Sequence, residues 1–168
     1  MPIDFFKAAC QDTTEAKIFG LCDDKDIYPD ETPAYLEETV STKWIAEVHN
    51  PQAKKVTFTA IDHCIENIVR ANGDTDFQCD CMLTYDDSIL FVELKTGGSG
   101  GWVAHGLIQL ESTIHHYENN NSLHPFPAKQ ACISNSMRPL FSNSYRGIIQ
   151  KFKDDTGFNL NIKRQIEI

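Results

Sequence analysis

The chain predicts an α/β domain with a mixed central sheet flanked by helices. Three observations predict it. Two strand-like runs, 76–85 and 88–96, are joined by the tight turn Asp86-Asp87. An amphipathic stretch over 102–118 follows, with Val103, Leu107, Leu110 and Ile114 on one stripe. A strand, a helix and a strand then follow over 129–135, 143–156 and 158–168, the order of an α/β domain. At 168 residues and 41% hydrophobic, one domain with a real core is expected. It divides into an extension (1–54), a core (55–135) and a C-terminal helix and strand (136–168).

The elements are justified in chain order. Residues 3–11 suggest a short helix. The run Asp23 to Glu31 is an acidic loop without the central Gly and closing Glu of a calcium-binding loop. Residues 34–42 are expected to be helical and 44–49 a strand, with Asn50-Pro51 breaking the chain. Phe58, Ile61 and Ile65 recur at helical spacing, with Thr57 as N-cap. Residues 66–71 look extended, and Asn72-Gly73 is a strong hairpin signal leading into 76–85. The run 88–96 is rich in Ile, Leu, Val and Phe. Glycines at 97, 98, 100 and 101 make a loop, either a lid over a site or a plain connection. No Gly-Lys-Ser/Thr ends it, so it is no Walker A motif. Asn119-Asn120-Asn121 ends the long helix, Gly157 stops the last one, and Phe158, Leu160 and Ile162 alternate as a final strand.

No apolar run approaches the roughly 18 residues that span a membrane. The N-terminus carries Asp4 and Lys7 and no long apolar stretch, so a signal peptide is not expected. The expected compartment is the cytosol, with the scattered cysteines 10, 22, 64, 79, 81 and 132 kept as thiols. Net charge is −9, which argues against a nucleic-acid partner. Yet residues 128–168 carry +4, from Lys129, Arg138, Arg146, Lys151, Lys153, Lys163 and Arg164 against Asp154, Asp155 and Glu167. That quarter is either an electrostatic footprint for phosphates or a solvated face.

Chemistry concentrates on the two strand-like runs. Side chains alternate across a sheet. Cys79, Cys81, Leu83, Val92 and Leu94 then form the expected core, beneath helices. Asp80, Glu93 and Lys95 are left to meet on the opposite face. Two carboxylates and an ammonium held together there are expensive unless they pair or bind metal. Carboxylate oxygens suit Mg²⁺. Such an ion polarises a phosphodiester and activates water, while a lysine orients that water or stabilises developing charge. The bland alternative is a surface ion pair between Glu93 and Lys95, with Asp80 at a strand edge.

Asp80, twelve intervening residues and then Glu93-Leu94-Lys95 resemble the motif of the PD-(D/E)xK nuclease superfamily. The resemblance covers roughly residues 55–135. It implies a restriction-endonuclease-like αβββαβ core and a Mg²⁺-dependent nuclease, with Mn²⁺ able to substitute. Asp80 and Glu93 would bind the metal and Lys95 would be the catalytic lysine. Cys79 stands where the motif has proline. Many members add an acid from the first helix, for which Asp62 and Glu66 are both candidates. Some branches add a glutamine on the helix after the motif. Gln109 sits suitably, with the usual nearby tyrosine displaced to Tyr117. The implied partner is nucleic acid, DNA ahead of RNA, in a repair or antiviral defence setting. A homodimer or a larger assembly would supply the basic surface this acidic chain lacks. The rival is the same fold kept as a non-cleaving binding subunit.

Other groups carry less. Cys79-x-Cys81 with His63-Cys64 makes a poor zinc chelate, since neighbours at i and i+2 on a strand are badly placed, and core cysteines are the better reading. His115-His116 has no His partner at i+4 and suggests a solvated face or a phosphate contact. His105 follows the glycine loop and is within sequence reach of the site.

Overall fold

A computed structural model describes residues 2–24, 32–98, 100–120, 125–137 and 143–168. In chain order these hold β1 (Gln11–Thr14), β2 (Ile18–Cys22), β3 (Tyr35–Glu37), β4 (Ala46–His49), β5 (Val56–Ala60), β6 (Cys81–Tyr85), β7 (Ser88–Lys95), α1 (Trp102–Asn120), β8 (Ala128–Asn135), α2 (Arg146–Thr156), β9 (Asn159–Ile162) and β10 (Gln165–Glu167). The strands form two mixed sheets, ordered β1-β5-β6-β7-β8-β9 and β10-β4-β2-β3. In the first, β5, β6 and β7 run as an antiparallel meander, and α1 returns the chain so that β8 lies parallel to β7. A helical crossover of this kind is what a parallel neighbour requires.

Two cores follow from the pleat of the central sheet. On one face Met82, Ile89 and Phe91 join Leu110 and Ile114 of α1 and Phe152 of α2. On the other, Leu83, Leu90 and Val92 join Phe19, Leu21 and Val48 of the smaller sheet. The layers are therefore helices, six-stranded sheet, four-stranded sheet. The expectation of a sheet flanked by helices holds on one face only. Cys81, Leu83, Val92 and Leu94 are buried, but beneath the second sheet rather than beneath helices. The helix layer packs closely: a Cβ added at Gly106 would stand 3.0 Å from Ile133 Cδ1 of β8.

Several expected elements fall differently. The helix expected around Phe58 is strand β5, with only one turn after it, where the Ile65 amide donates to the Ile61 carbonyl at 2.9 Å. Val56-Thr57-Phe58-Thr59 is β-branched and aromatic, and pairing on both sides overrides a three-residue helical spacing. The helix expected over 34–42 is β3 and a 3-10 turn at Ser41–Lys43. That over 3–11 is a 3-10 turn at Ala8–Cys10 running into β1. The strand expected over 76–85 begins only at Cys81. Asn72-Gly73 does turn the chain, with Gly73 at φ 89°, but the flanking residues form an isolated bridge, Val69 to Thr75, rather than a strand pair. The single strand expected over 158–168 is two strands in different sheets: Leu160 and Ile162 serve the helix-side core and Ile166 the sheet–sheet core. Most of the acidic loop Asp23 to Glu31, from residue 25 on, lies outside the described residues, and so does Arg138.

The cysteine expectation is also corrected. Cys10 and Cys64 form a disulfide that ties the turn before β1 to the turn after β5. Cys22, Cys79, Cys81 and Cys132 are buried thiols. No helix among the described residues is long and apolar enough to cross a membrane.

Candidate active site

The site forms where the β6–β7 ladder ends. The last register pair is Cys81 with Val92, which leaves Asp80 and Glu93 one step beyond it. Simple alternation fails here. Cys79 belongs to the helix-side core and Cys81 to the sheet–sheet core, so the backbone bends between them. Asp80 uses that bend: its Oδ2 accepts the Leu94 amide at 2.6 Å, continuing the ladder with a side chain. Asp80 is 1% exposed and Glu93 fully buried.

Lys95 is the third member. Its Nζ lies 2.7 Å from Glu93 Oε1 and donates to Gln109 Oε1 at 2.6 Å. The Glu93–Lys95 ion pair of the bland alternative is thus present, but with Glu93 fully buried rather than at the surface. Gln109 passes the contact on, its Nε2 donating to the Gln78 carbonyl at 3.2 Å. Of the two acids left open, Asp62 lies nearer in the backbone: Ile61 is set against Asp80 and Asp62 against Cys79, with the Asp62 carboxylate 3.4 Å from His63 Nε2. The Ile61 amide donates to the Asp80 carbonyl at 2.9 Å and the Asp62 amide to the Cys79 carbonyl at 3.3 Å. Glu66 is 77% exposed and lies 3.4 Å from Lys7 instead. Neither acid stands on a helix, since the first helix of the expected core is absent.

Two residues that hold this corner in place were read otherwise in the sequence: Thr113 was passed over, and His116 was expected on a solvated face or a phosphate rather than on Asp76. Thr113 is fully buried; its Oγ1 accepts the Cys79 amide at 2.8 Å and donates to the Gln109 carbonyl at 2.8 Å. One turn on, His116 Nε2 meets Asp76 Oδ2 at 2.9 Å. Gln109, Thr113 and His116 therefore lie along one face of α1 and grip residues 76–79 at three points. Their spacing of four and three was the available signal. It lacked a partner because 76–79 was assigned to a regular strand.

Burial alone would raise the Asp76 carboxyl. Hydrogen bonds from His116, from the Phe77 amide and from Arg70 outweigh it and hold the group at about 2. A depressed carboxylate contributes stability that is present above its ordinary value near 4 and is lost as pH falls towards the folded value. Asp76→Asn is expected to cost about 1 kcal/mol at neutral pH, once solvent screening is allowed for. Urea unfolding at pH 7 and at pH 2.5 checks this: the difference between the two proteins should be largest at the first pH and clearly smaller at the second.

Cys79 and Cys81 do not form a zinc knuckle. Burial first, and then the neighbouring Glu93 and Asp80 charges, push both thiols far up. They point into different cores, and Cys64 is spent in the disulfide. His105 is exposed on α1. Asn135 of β8 reaches the glycine loop, donating to the Gly97 carbonyl at 2.7 Å. The basic quarter is largely engaged: Lys129 meets Glu118, Lys151 meets Asp155, Lys153 caps the Gly157 carbonyl and Arg164 donates to the Trp44 carbonyl.

Among the described residues, no three of His, Cys, Asp and Glu are grouped so as to hold an ion by themselves. Mg²⁺ does not need that many, since it keeps several waters and takes one or two carboxylates. Comparison of the chain with protein-family models, curated proteins and solved structures finds no match in any of the three.

Proposed function

We propose that the chain is a Mg²⁺-dependent nuclease of the PD-(D/E)xK type, hydrolysing phosphodiester bonds in DNA. The observation that carries it is the meeting of Glu93, Lys95 and Gln109 beside Asp80 at one strand end. The strand–strand–strand–helix–strand order of β5 to β8 supports a restriction-endonuclease-like core. Asp80 and Glu93 are the residues to hold the ion. Their all-oxygen donor set suits a hard cation. When bound, the ion polarises the scissile phosphate and lowers the pKa of an attacking water. Gln109 holds the Lys95 ammonium at 2.6 Å, and that charge would offset negative charge growing on a bound phosphate. Burial of the carboxylates strengthens each of these interactions.

One observation favours a second reading, a non-cleaving subunit of a protein complex. Lys95 already balances Glu93 at 2.7 Å, so the corner is stable without metal. Net charge of −9 also gives the isolated chain little grip on phosphates, and a homodimer or larger assembly supplies it under either reading. The test incubates purified protein with supercoiled and linear DNA in Mg²⁺, Mn²⁺ or EDTA. Metal-dependent nicking supports the nuclease. Absence of cleavage with either metal, together with absence of Mn²⁺ binding by calorimetry, moves the weight to the non-cleaving subunit.

A further inference from the structure

We propose that the site takes single-stranded DNA, with Phe77 as the platform on which an unpaired base stacks beside the scissile phosphate. The inference rests on the nuclease reading for the chemistry that follows binding, but its test reads binding rather than cleavage.

Large apolar side chains are exposed at six positions among the described residues, and three of them adjoin the proposed site. Lys95 Nζ donates to Gln109, Gln109 donates to the Gln78 carbonyl, and the Ser136 amide donates to the Lys95 carbonyl. Phe77, Ile108 and Met137 are 47%, 45% and 64% exposed, and each lies one residue from a member of that bonded run. Exposed apolar side chains scattered singly need no explanation. Gathered at the rim of a charged corner, they suit a ligand that carries both apolar faces and negative charge.

Phe77 is held in place on both sides. Its amide donates to Asp76 Oδ1 at 2.9 Å, and Asp76 is gripped by Arg70 and His116. Beyond it, Gln78 and Cys79 are bonded to Gln109 and Thr113 of α1. A backbone fixed in this way leaves the ring little freedom to lose when a base settles on it. The Arg70 guanidinium carbon lies 5.0 Å from the ring centroid, and the Arg70 side chain is 45% exposed. An open ring with a cation beside it suits a base joined to a phosphate. Phe77 stands three residues before Asp80, so their backbones are at most about 11 Å apart. Neighbouring nucleotides of one strand bridge that reach. In a duplex the base faces are already stacked inside, whereas an unpaired base offers one to the ring. The net charge of −9 points the same way. Duplex binding draws mainly on phosphate contacts, while stacking adds affinity that needs no phosphate neutralised.

The experiment measures binding of labelled oligo(dT), oligo(U) and a blunt hairpin duplex by fluorescence anisotropy. It is run in EDTA and in Ca²⁺, a hard cation that takes carboxylate ligands in looser geometry than Mg²⁺. Wild type is compared with Phe77→Ala, Phe77→Leu and Phe77→Trp, with a thermal melt of each. Oligo(dT) is expected to bind more tightly than the duplex. Phe77→Ala is expected to weaken oligo(dT) about 10-fold, the range of one stacking ring. Phe77→Leu, apolar but without a π-face, should weaken it too, while Phe77→Trp keeps wild-type affinity. All three should melt like wild type, since Phe77 belongs to neither core. Wild-type affinity in Phe77→Ala or Phe77→Leu overturns the proposal, whatever the protein cleaves, and so does a duplex bound as tightly as oligo(dT). Tighter binding of oligo(U) than of oligo(dT) overturns the assignment to DNA. Failure to bind any of the three in either condition overturns it as well, and gives the rim to a protein partner. If oligo(dT) binds through Phe77 but wild type cuts no DNA in Mg²⁺ or Mn²⁺, the stacking site stands and the nuclease reading falls.

Discussion

On the proposed function, Glu93→Gln is expected to abolish Mg²⁺-dependent DNA cleavage and to leave the fold in place. Gln matches Glu in shape, so the buried volume at the end of β7 is kept and only the charge is lost. On that reading the charge is one of two that would hold the cation, and its loss would fall on the chemical step rather than on packing. Lys95→Ala is expected to lose about 10²–10³ in rate, the usual size for one preorganised donor. It differs from Glu93→Gln in stability. Glu93 is fully buried with the Lys95 ammonium 2.7 Å away, and removing one partner of a buried pair costs up to about 3 kcal/mol. Lys95→Gln, which can still donate a hydrogen bond to Glu93, separates the two effects: rate falls as in Lys95→Ala and the melting temperature stays near wild type. Rates are measured on supercoiled DNA beside thermal melts of each variant. Cleavage that survives in both Glu93→Gln and Lys95→Ala places the active site elsewhere.

Val92→Asp unfolds the domain. Val92 is fully buried between the two sheets, among Phe19, Leu21 and Val48. A carboxylate there has no polar partner in the core, and an unpaired buried charge costs several kcal/mol, a large share of the 5–15 kcal/mol that holds a domain together. The expected result is insoluble protein, or circular dichroism without a cooperative melt. Val92→Ile, one methylene larger, is the contrast, with an overpacking cost of about 1–3 kcal/mol. A soluble Val92→Asp variant with a normal melt would mean that the face of β7 toward the smaller sheet is not a core.

Much of this architecture was legible in the chain. β7 and α1 show themselves because their periodicities are long and undiluted: eight residues of mostly apolar strand, then nineteen with one apolar stripe. Gly157 ends α2 in the left-handed conformation, as its lack of a Cβ permits. Glu93 and Lys95 could be assigned to one face because β7 is regular along its whole length. β5 was not legible, since Phe58, Ile61 and Ile65 fit a helix as well as a strand followed by a turn, and only pairing with β1 and β6 decides between them. β2 was passed over because its five residues lack alternation, all but Ile18 being buried.

The residue types of the site were set by sequence alone: two acids and a lysine at spacings that adjoining strands bring together. Their surroundings were not. That Asp80 caps the ladder by accepting the Leu94 amide depends on a bend between Cys79 and Cys81, and the bend exists because those two cysteines fill different cores. That Asp62 lies nearer the site than Glu66 depends on the backbone bonds from Ile61 and Asp62 to Asp80 and Cys79, which local spacing does not show. Thr113 and His116 have work to do only once α1 lies across residues 76–79. Local spacing reports what a strand or helix presents to its own neighbours. Which partner meets it is decided by long-range packing, where burial of two apolar faces outweighs any single hydrogen bond.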